Sequence, residues 1–593
     1  MIVPMKRVTL LSFQPDQELT LNVLREMGVL HVTPVVVPDS DDLSKVQVKL
    51  AEGREALQLL SSIKGGVEAH TAGGTAAMAV DDVISAVRDE TRRQKDLSVR
   101  IEGLEREEEA VRPFGSVEPS ALQALADAGV TVKLCQMAAT LPIPVVQGAL
   151  VQVIDEGKRE RTLAIVSREE VDCPGRECAW PARPLGSIQR ELGETRGALE
   201  QSRTVLSGLA VHSGAVRERV VELETVEQFA LVRDGMGAWD RINYLTGYCP
   251  AERVTELQAA AKQHGWGLMV RDPQADDQVP TLLRNSRWVQ PIKAVFDMLG
   301  ILPGYREIDV SVCFLLFFSL FFAMLVGDAG YGAIFLGLTV MARRKMPKAP
   351  VQPFALMIVM SIATMVWGVL TGTYFGIAEI PLVLKSLRID WLTNEENLKL
   401  LCFVIGTVHL MVAHAWNGLV NRRSLTALAQ LGWVGTTLCM FYLSRFMVLG
   451  VDMPSFVWPV MAGSVVLIVL FMTPVKALKD EWFNHVMLPL SVVSNFMDVI
   501  SYVRLYAVGM ASLALAMAFN EMAAGFGTGV GARMAAVVVL FLGHALNLVL
   551  AGMGVMVHGV RLNALEFSSH IGLSWTGVAF RPFAGKKELA KAE

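Results

Sequence analysis

The residues that demand an explanation are charges set inside apolar runs. Arg504 lies more than ten residues from either end of the apolar stretch 486–524. A central arginine in a membrane helix costs about 2.5–3.5 kcal/mol even on the lenient insertion scale, so it must face protein or water rather than lipid. Asp498 comes six residues earlier. That is about 240° around a regular helix, so it cannot simply neutralise the arginine. The next apolar stretch, 532–562, carries His544 and Asn547 and runs through His558 and Arg561 to Glu566. His558 and Arg561 stand three apart and share one helix face.

Arginine suits one task in such a place. With a pKa above about 12 it stays protonated when partly desolvated, where lysine could lose its proton. A permanent cation can draw a proton or Na⁺ off a passing carboxylate and repel cations that would leak straight through. No Asp or Glu inside the apolar runs is arranged to carry ions alone, so the carboxylate is expected from another subunit. Two competing readings stay open: Arg504 in a buried structural ion pair, and Arg561 snorkelling to headgroups. His409, His414 and His544 read as packed or hydrogen-bonded residues rather than ion ligands.

Those runs belong to an apolar C-terminal half. Hydrophobic residues make up 52% of the 593-residue chain and concentrate after about residue 308. A chain this long needs at least two domains. Eight apolar segments follow: 310–327, 329–343, 352–374, 398–419, 427–448, 456–475, 486–524 and 532–562. Most are near the ~20 residues a helix needs to cross the hydrocarbon. The last two are too long to stand upright and must tilt or extend beyond the bilayer. Basic residues follow spans two (Arg343, Arg344, Lys345), four (Arg422, Arg423), six (Lys476, Lys479) and eight (Lys586, Lys587, Lys591). That bias puts both termini in the cytoplasm, as an even span count requires. No apolar signal segment with a cleavage site opens the sequence.

The first 308 residues are expected to be cytoplasmic. Residues 5–13 read as a strand, 16–27 as a helix and 29–37 as a second strand, making a small α/β unit. A second unit lies at 118–172 and a third at 240–272. Between them run narrow apolar seams: Leu43, Val46, Leu50, Gly53, Leu57 and Leu60, then Leu97, Ile101 and Leu104. A later seam runs Leu185, Ile188, Leu192, Thr195, Leu199, Ser202, Leu206 and Leu209. Spacing of three and four suits a coiled coil. We read 42–112 and 185–232 as two legs of an antiparallel arm, broken by glycines at 64–75, with the second unit at its far end.

Several classes are set aside. A net charge of −4 gives no argument for nucleic acid. Seven scattered cysteines make neither a zinc pattern nor a disulfide framework and read as free thiols. There is no phosphate-binding loop, catalytic triad or carboxylate pair, so no nucleotide site, metal or cofactor is expected.

Asp498-Val-Ile-Ser-Tyr-Val-Arg-Leu-Tyr-Ala-Val-Gly-Met-Ala resembles the "SYxRLxAxGLA" helix of subunit I/a of V- and A-type rotary ATPases. His558-Gly-Val-Arg-Leu-Asn-Ala-Leu-Glu-Phe resembles that family's last helix, close to "HxLRLxxVEF". Met5-Lys-Arg-Val, Leu24-Arg-Glu-Met-Gly-Val-Leu-His, Tyr305-Arg-Glu-Ile-Asp and the turn Val326-Gly-Asp-Ala-Gly-Tyr-Gly are similar too, in the family's order. Arg504 and Arg561 fall on its two functional arginines. Where eukaryotic relatives often carry a histidine this chain has Ser512, and where they carry a glutamate it has Ala551.

The resemblance implies a multidomain stator: residues 1–308 a cytoplasmic arm of α/β lobes and coiled coil, residues 309–593 an all-α ion-translocating domain of eight spans. Implied partners are a ring of c/K proteolipids, peripheral E/G-type stalks, a central-stalk C/d-type subunit, the A/B head indirectly, and the lipid of the inner (plasma) membrane. Implied translocation residues are Arg504, Arg561, His558 and Asp498, with Ser512, Glu521 and Glu566 on lesser grounds. The rivals are a scaffold or signalling membrane protein and a secondary transporter. A transporter should show an internal repeat of spans, and none is visible.

Overall fold

The computed structural model describes residues 1–63, 78–112, 119–156, 160–169, 171–173, 175–180, 183–347, 349–377, 379, 381–474, 479, 481–527 and 529–585. The glycine-rich break at 64–75, Lys476 and the C-terminal lysines lie outside them. The chain is mostly helical and divides into two compact units. Of the described residues, one holds 1–11, 29–32 and 246–582; the other holds 12–28, 33–245 and 583–585.

The second unit begins with the end of β1 (Met5–Phe13), then α1 (Gln17–Met27), and continues after β2 (His31–Thr33) with α2 (Asp41–Ser62) and α3 (Val80–Val111). Ser40 caps α2 by accepting from the Leu43 amide, beside Asp41 and Asp42 in the first turn. Next come α4 (Pro119–Asp127), β3 (Thr131–Ala138), β4 (Ala149–Glu156), β5 (Glu160–Ser167) and β6 (Arg176–Cys178). These strands form an antiparallel sheet ordered β4-β5-β3-β6. α5 (Leu185–Leu209) and α6 (Ser213–Asp234) lead back to β7 (Gly237–Trp239).

The apolar seams are what these helices bury. Leu50, Ala56 and Leu60 of α2 pack with Val83, Ile84 and Val87 of α3 and Val216, Val220 and Leu223 of α6. Leu104 and Val111 of α3 pack on Ile188 and Leu192 of α5. The polar partners run antiparallel: Ser202 with Glu90, Arg100 with Glu191, Gln189 with Glu108. Glu191 accepts from Arg100 and Arg183, which hold its carboxyl below the usual range.

One cysteine expectation is corrected. Cys135 on β3 is bonded to Cys173, 38 residues away, so these two are not free thiols; Cys178, Cys249, Cys313, Cys402 and Cys439 are. The sheet brings the pair together, which spacing along the chain does not reveal.

In the first unit, β8 (Ile242–Pro250), α7 (Val254–His264) and β9 (Gly267–Arg271) complete a sheet ordered β2-β8-β1-β9. β1 pairs with β9 antiparallel, Arg7 opposite Arg271. The first and third α/β segments of the sequence are therefore one lobe. After α8 (Lys293–Leu299) the apolar helices begin. They are α9 (Ser311–Val326), α10 (Ala329–Lys345), α11 (Val351–Thr371), the short α12 (Leu382–Lys385), α13 (Glu395–Val420), α14 (Thr426–Leu449), α15 (Val457–Phe471), α16 (Trp482–Ser501), α17 (Val503–Ala524) and α18 (Val530–Gly554). Two π-helical turns, Val555–Gly559 and Leu562–Phe567, extend α18 towards α19 (Ser568–Ile571).

Among the described residues, each of the eight apolar segments is mostly helical. Five stretches are long and apolar enough to cross a membrane: α11, α13, α14, α16 with α17, and α18 through α19; α15 is shorter. α9 and α10 meet at a 119° bend. Gly327 makes that bend with φ 70°, a left-handed conformation glycine adopts freely. Asp328 then caps α10 by accepting from the amides of Gly330 and Tyr331. The Gly-Asp motif is a helix-turn-helix corner. α9 is the centre of this bundle, with Phe314, Phe318, Phe321 and Phe322 buried.

The tail after α19 returns to the sheet lobe. The Gly577 amide donates to Leu302 O at 3.0 Å and the Phe580 amide to Thr281 O at 3.0 Å. The Arg581 amide donates to His31 Nδ1 at 3.0 Å, which requires that nitrogen to be unprotonated. Burial, reinforced by the nearby Arg581 charge, lowers the His31 pKa.

Two predictions follow from this packing. A depressed histidine binds fewer protons folded than unfolded, so its contribution is present above the ordinary value of about 6.5 and is lost as pH falls through the lower folded value. Hydrogen exchange of amides 577–581, corrected for intrinsic rate, should therefore speed up below about pH 6.5, and His31→Ala should flatten that dependence. In the helical unit, Leu104→Ala should lower the local opening free energy of α3 and α5 by about 2–5 kcal/mol. Arg196→Ala, which breaks only an exposed pair with Glu105, should cost under about 1 kcal/mol.

Candidate functional site

Arg504 is positioned by a break in the helix. α16 ends at Ser501 and α17 begins at Val503. Tyr502 between them is fully buried, its hydroxyl paired with His409 Nδ1 at 2.8 Å. His409 is in turn stacked between Phe317 and Phe567. At the break the Leu505 amide bonds Tyr502 O instead of continuing the α pattern. Arg504 Nε takes the Ser501 carbonyl at 2.9 Å. Five residues on, a Cβ at Gly509 would lie 2.5 Å from Met324 O. Only glycine lets α17 approach α9 this closely.

The other half of the site comes from the π turns. Arg561 sits between them, and Glu566 lies in the second. Arg504 Nη2 reaches Glu566 Oε1 at 2.7 Å, and Arg561 Nε reaches the same oxygen at 3.2 Å. The Glu566 side chain is only 4% exposed, while Arg504 retains 23% and Arg561 54%. Glu566 Oε2 has no protein partner among the described residues. Two guanidiniums thus meet one carboxylate, and one positive charge is left over. Within two or three turns of the arginines on the same helices, Met497, Met553, Met556, Val557 and Leu565 are apolar and exposed.

The remaining sequence candidates separate. Asp498 does not reach Arg504; its Oδ2 pairs with His570 Nε2 at 3.0 Å. His558 makes no bond to Arg561, and its Nδ1 is buried without a partner among the described residues. Glu521 is exposed near the end of α17. Ser512 is buried, donating to Asn547 Oδ1 at 3.1 Å. Asn547 donates to Tyr331 Oη at 3.0 Å, and that hydroxyl also meets His544 Nδ1 at 2.7 Å. Beside this network is a cavity of about 160 Å³ lined by Asp328, Tyr331, Thr371, Thr373, Tyr506 and Ser512, among others. Sequence reasoning missed His570 and Tyr331 as partners, because nothing in their spacing links them to α16 or α18. No group of three or more His, Cys, Asp or Glu side chains gathers into a metal site among the described residues.

No protein-family profile matches the chain. Curated relatives do, over nearly all of it. The V-type ATP synthase subunit I of Borreliella burgdorferi is 28% identical, covering 99% of this chain and 100% of its own. The V-type ATP synthase subunit I 1 of Treponema pallidum is 32% identical, covering 98% and 100%. The A-type ATP synthase subunit I of Methanocaldococcus jannaschii is 24% identical, covering 70% and 65%. A crystal structure of the cytoplasmic N-terminal domain of a subunit I, homolog of subunit a of V-ATPase, aligns with 45% of this chain and 99% of its own. Its identity is 14% and its TM-score 0.20, too low to bear on the fold.

A helical, apolar half bearing paired arginines, in a chain aligned end to end with such relatives, defines a membrane subunit of a rotary ATPase. The chain belongs to the V/A-type ATP synthase subunit I family.

The geometry sets an order of stabilities. Glu566→Ala leaves two cations facing each other in a partly buried place and should lower stability by roughly 3 kcal/mol. Arg561→Ala removes the half-exposed partner and should cost under about 1 kcal/mol. Thermal unfolding of the detergent-solubilised protein checks both; equal losses would contradict the arrangement.

Proposed function

We propose that this chain is the ion-translocating stator of a V/A-type rotary ATPase. The observation that carries the proposal is the surplus positive charge at Arg504 and Arg561, held against an exposed apolar face. A rotating ring of c/K proteolipids would pass that face with a carboxylate on each subunit. Arg504 would attract each ring carboxylate in its charged form and so displace its proton or Na⁺. In a water-poor setting this attraction is much stronger than in bulk water. The same charge would bar a free cation from passing.

Two offset half-channels would feed the ring. One is assigned to the cavity beside Asp328, Tyr331 and Ser512. The other is assigned to the side of Asp498 and Glu566. His558 is placed beside Arg561, and Glu521 at the far end of α17. All eight apolar helices are taken to cross the plasma membrane, with both termini cytoplasmic, in line with the Arg343–Lys345 and Arg422–Arg423 loops. Residues 309–593 form this domain. Residues 1–308 form the arm, with α2 and α3 running against α6 and α5 as an antiparallel coiled coil. The arm would hold peripheral E/G-type stalks against torque, with the central-stalk C/d-type subunit and the A/B head completing the machine.

A scaffold protein would have no use for a net positive charge held by two arginines and one carboxylate within the apolar half. In vesicles reconstituted with the whole complex, Arg504→Ala should abolish ATP-driven ion uptake while the subunits still co-purify. Normal uptake would overturn the assignment.

A further inference from the structure

A second chain of polar side chains crosses the bundle beside the arginines. Gln430 Oε1 lies 2.8 Å from His414 Nδ1, and His414 Nε2 lies 2.8 Å from His570 Nδ1. His570 Nε2 lies 3.0 Å from Asp498 Oδ2. Three helices and the final turn thus contribute to one unbroken line. The middle is buried, with the His570 side chain 8% exposed and His414 packed against Trp433. Both ends reach the outside: Gln430 is half-buried, and the Asp498 side chain is 22% exposed. Gln430 lies in the second turn of α14, just after the Arg422–Arg423 loop. Glu566 stands four residues before His570. Glu566 itself pairs with Arg504 and Arg561.

The hydrogen-bond logic of this line allows two satisfied states. In the first, the Gln430 amide donates to His414 Nδ1. His414 Nε2–H then donates to His570 Nδ1, and His570 Nε2–H donates to the Asp498 carboxylate. In the second, His414 Nδ1–H donates to Gln430 Oε1, and His570 Nδ1–H donates to His414 Nε2. His570 Nε2 and Asp498 then share one further proton. The states differ by one proton and by the sense of the Gln430 amide. A proton taken up at His414 Nδ1 forms an N–H bond there. The Nε2–H bond of His414 breaks as its proton passes to His570 Nδ1. The added proton then rests between His570 Nε2 and Asp498. Release from Asp498 leaves both rings protonated at Nδ1; because a hop back along the line would return the proton, reset requires each imidazole to turn and carry its N–H to the other side.

We propose that Gln430, His414, His570 and Asp498 form a proton relay, gated by the Gln430 carboxamide, between the cytoplasmic surface and the arginine site. Histidine is suited to this because each ring can hold a proton at either nitrogen near neutral pH. Gln430 cannot pass the proton itself. It covers His414 Nδ1 and must swing aside to admit water. The relay rests on the stator reading, and it adds that the ion on this side is H⁺.

The test is ATP-driven proton uptake by vesicles holding the whole complex, with subunit co-purification as the assembly control. His570→Gln and His414→Gln keep a hydrogen-bonding side chain but cannot hand a proton across, and should slow uptake roughly tenfold or more. Gln430→Ala removes the gate over His414 and should speed uptake; a purely structural line would be weakened by all three changes. Should either glutamine variant fail to assemble, imidazole added to His414→Ala should restore part of the flux. Wild-type flux in the glutamine variants, unchanged or lower flux in Gln430→Ala, no rescue by imidazole, or uptake that tracks Na⁺ at fixed pH would each overturn the relay. If those results came with Arg504→Ala still inactive, the relay alone would fall. An active Arg504→Ala would remove the stator reading itself.

Discussion

One carboxylate shared by two guanidiniums is the interaction around which the apolar half is organised. Burying a lone charge is far more costly than burying a hydrogen-bonded pair. Glu566 therefore makes it tolerable to hold Arg504 inside the bundle. It cannot compensate both arginines, and the second cation remains unbalanced at the more exposed position. Full neutralisation would have given a stable core with nothing to offer a partner. Omitting Glu566 would have left two like charges in repulsion. The observed ratio holds the site together and keeps its field.

Irregular backbone is what brings these three groups together. On a regular α-helix Arg561 and Glu566, five residues apart, point about 140° away from each other. A π turn closes its bonds at i→i+5 and puts them on one side. The break at Tyr502 frees the Ser501 carbonyl for Arg504. Both distortions are braced by aromatic packing: Tyr502 against His409, and Phe567 stacked on the same imidazole. His409 therefore ties the two distorted helices to each other. That fits the reading of it as a packed histidine.

How much of this could be read from the sequence depends on range. The apolar seams at Leu50, Leu60, Ile188, Leu192 and Leu206 were legible because helical periodicity is local, and these residues are the buried ones. The isolation of Asp498 from Arg504 was legible for the same reason. Glu566 as the partner of both arginines was not, because the reading assumed a regular helix where two π turns stand. The union of the first and third α/β segments depends on β1 meeting β9 more than 250 residues later. The Cys135–Cys173 bond likewise needs a folded sheet. His414, His570 and Asp498 are 156 and 72 residues apart, and no periodicity reaches so far.

Three of the polar sets in the bundle share no hydrogen bond with one another among the described residues. Ser512, Asn547, Tyr331 and His544 form one. Arg504, Arg561 and Glu566 form the second. Gln430, His414, His570 and Asp498 form the third. Along the helix Ser512 lies about 12 Å beyond Arg504, and Asp498 about 9 Å before it. A rotary motor of the proposed kind needs this separation. A continuous line of exchangeable protons from one face to the other would dissipate the gradient without turning anything. Two lines that stop short of each other, with a net cation in the gap, oblige the ion to bridge that gap on a carrier outside the chain. In the proposed mechanism the arginine pair would serve both as barrier and as the means of unloading that carrier, and both roles would come from the same unbalanced charge.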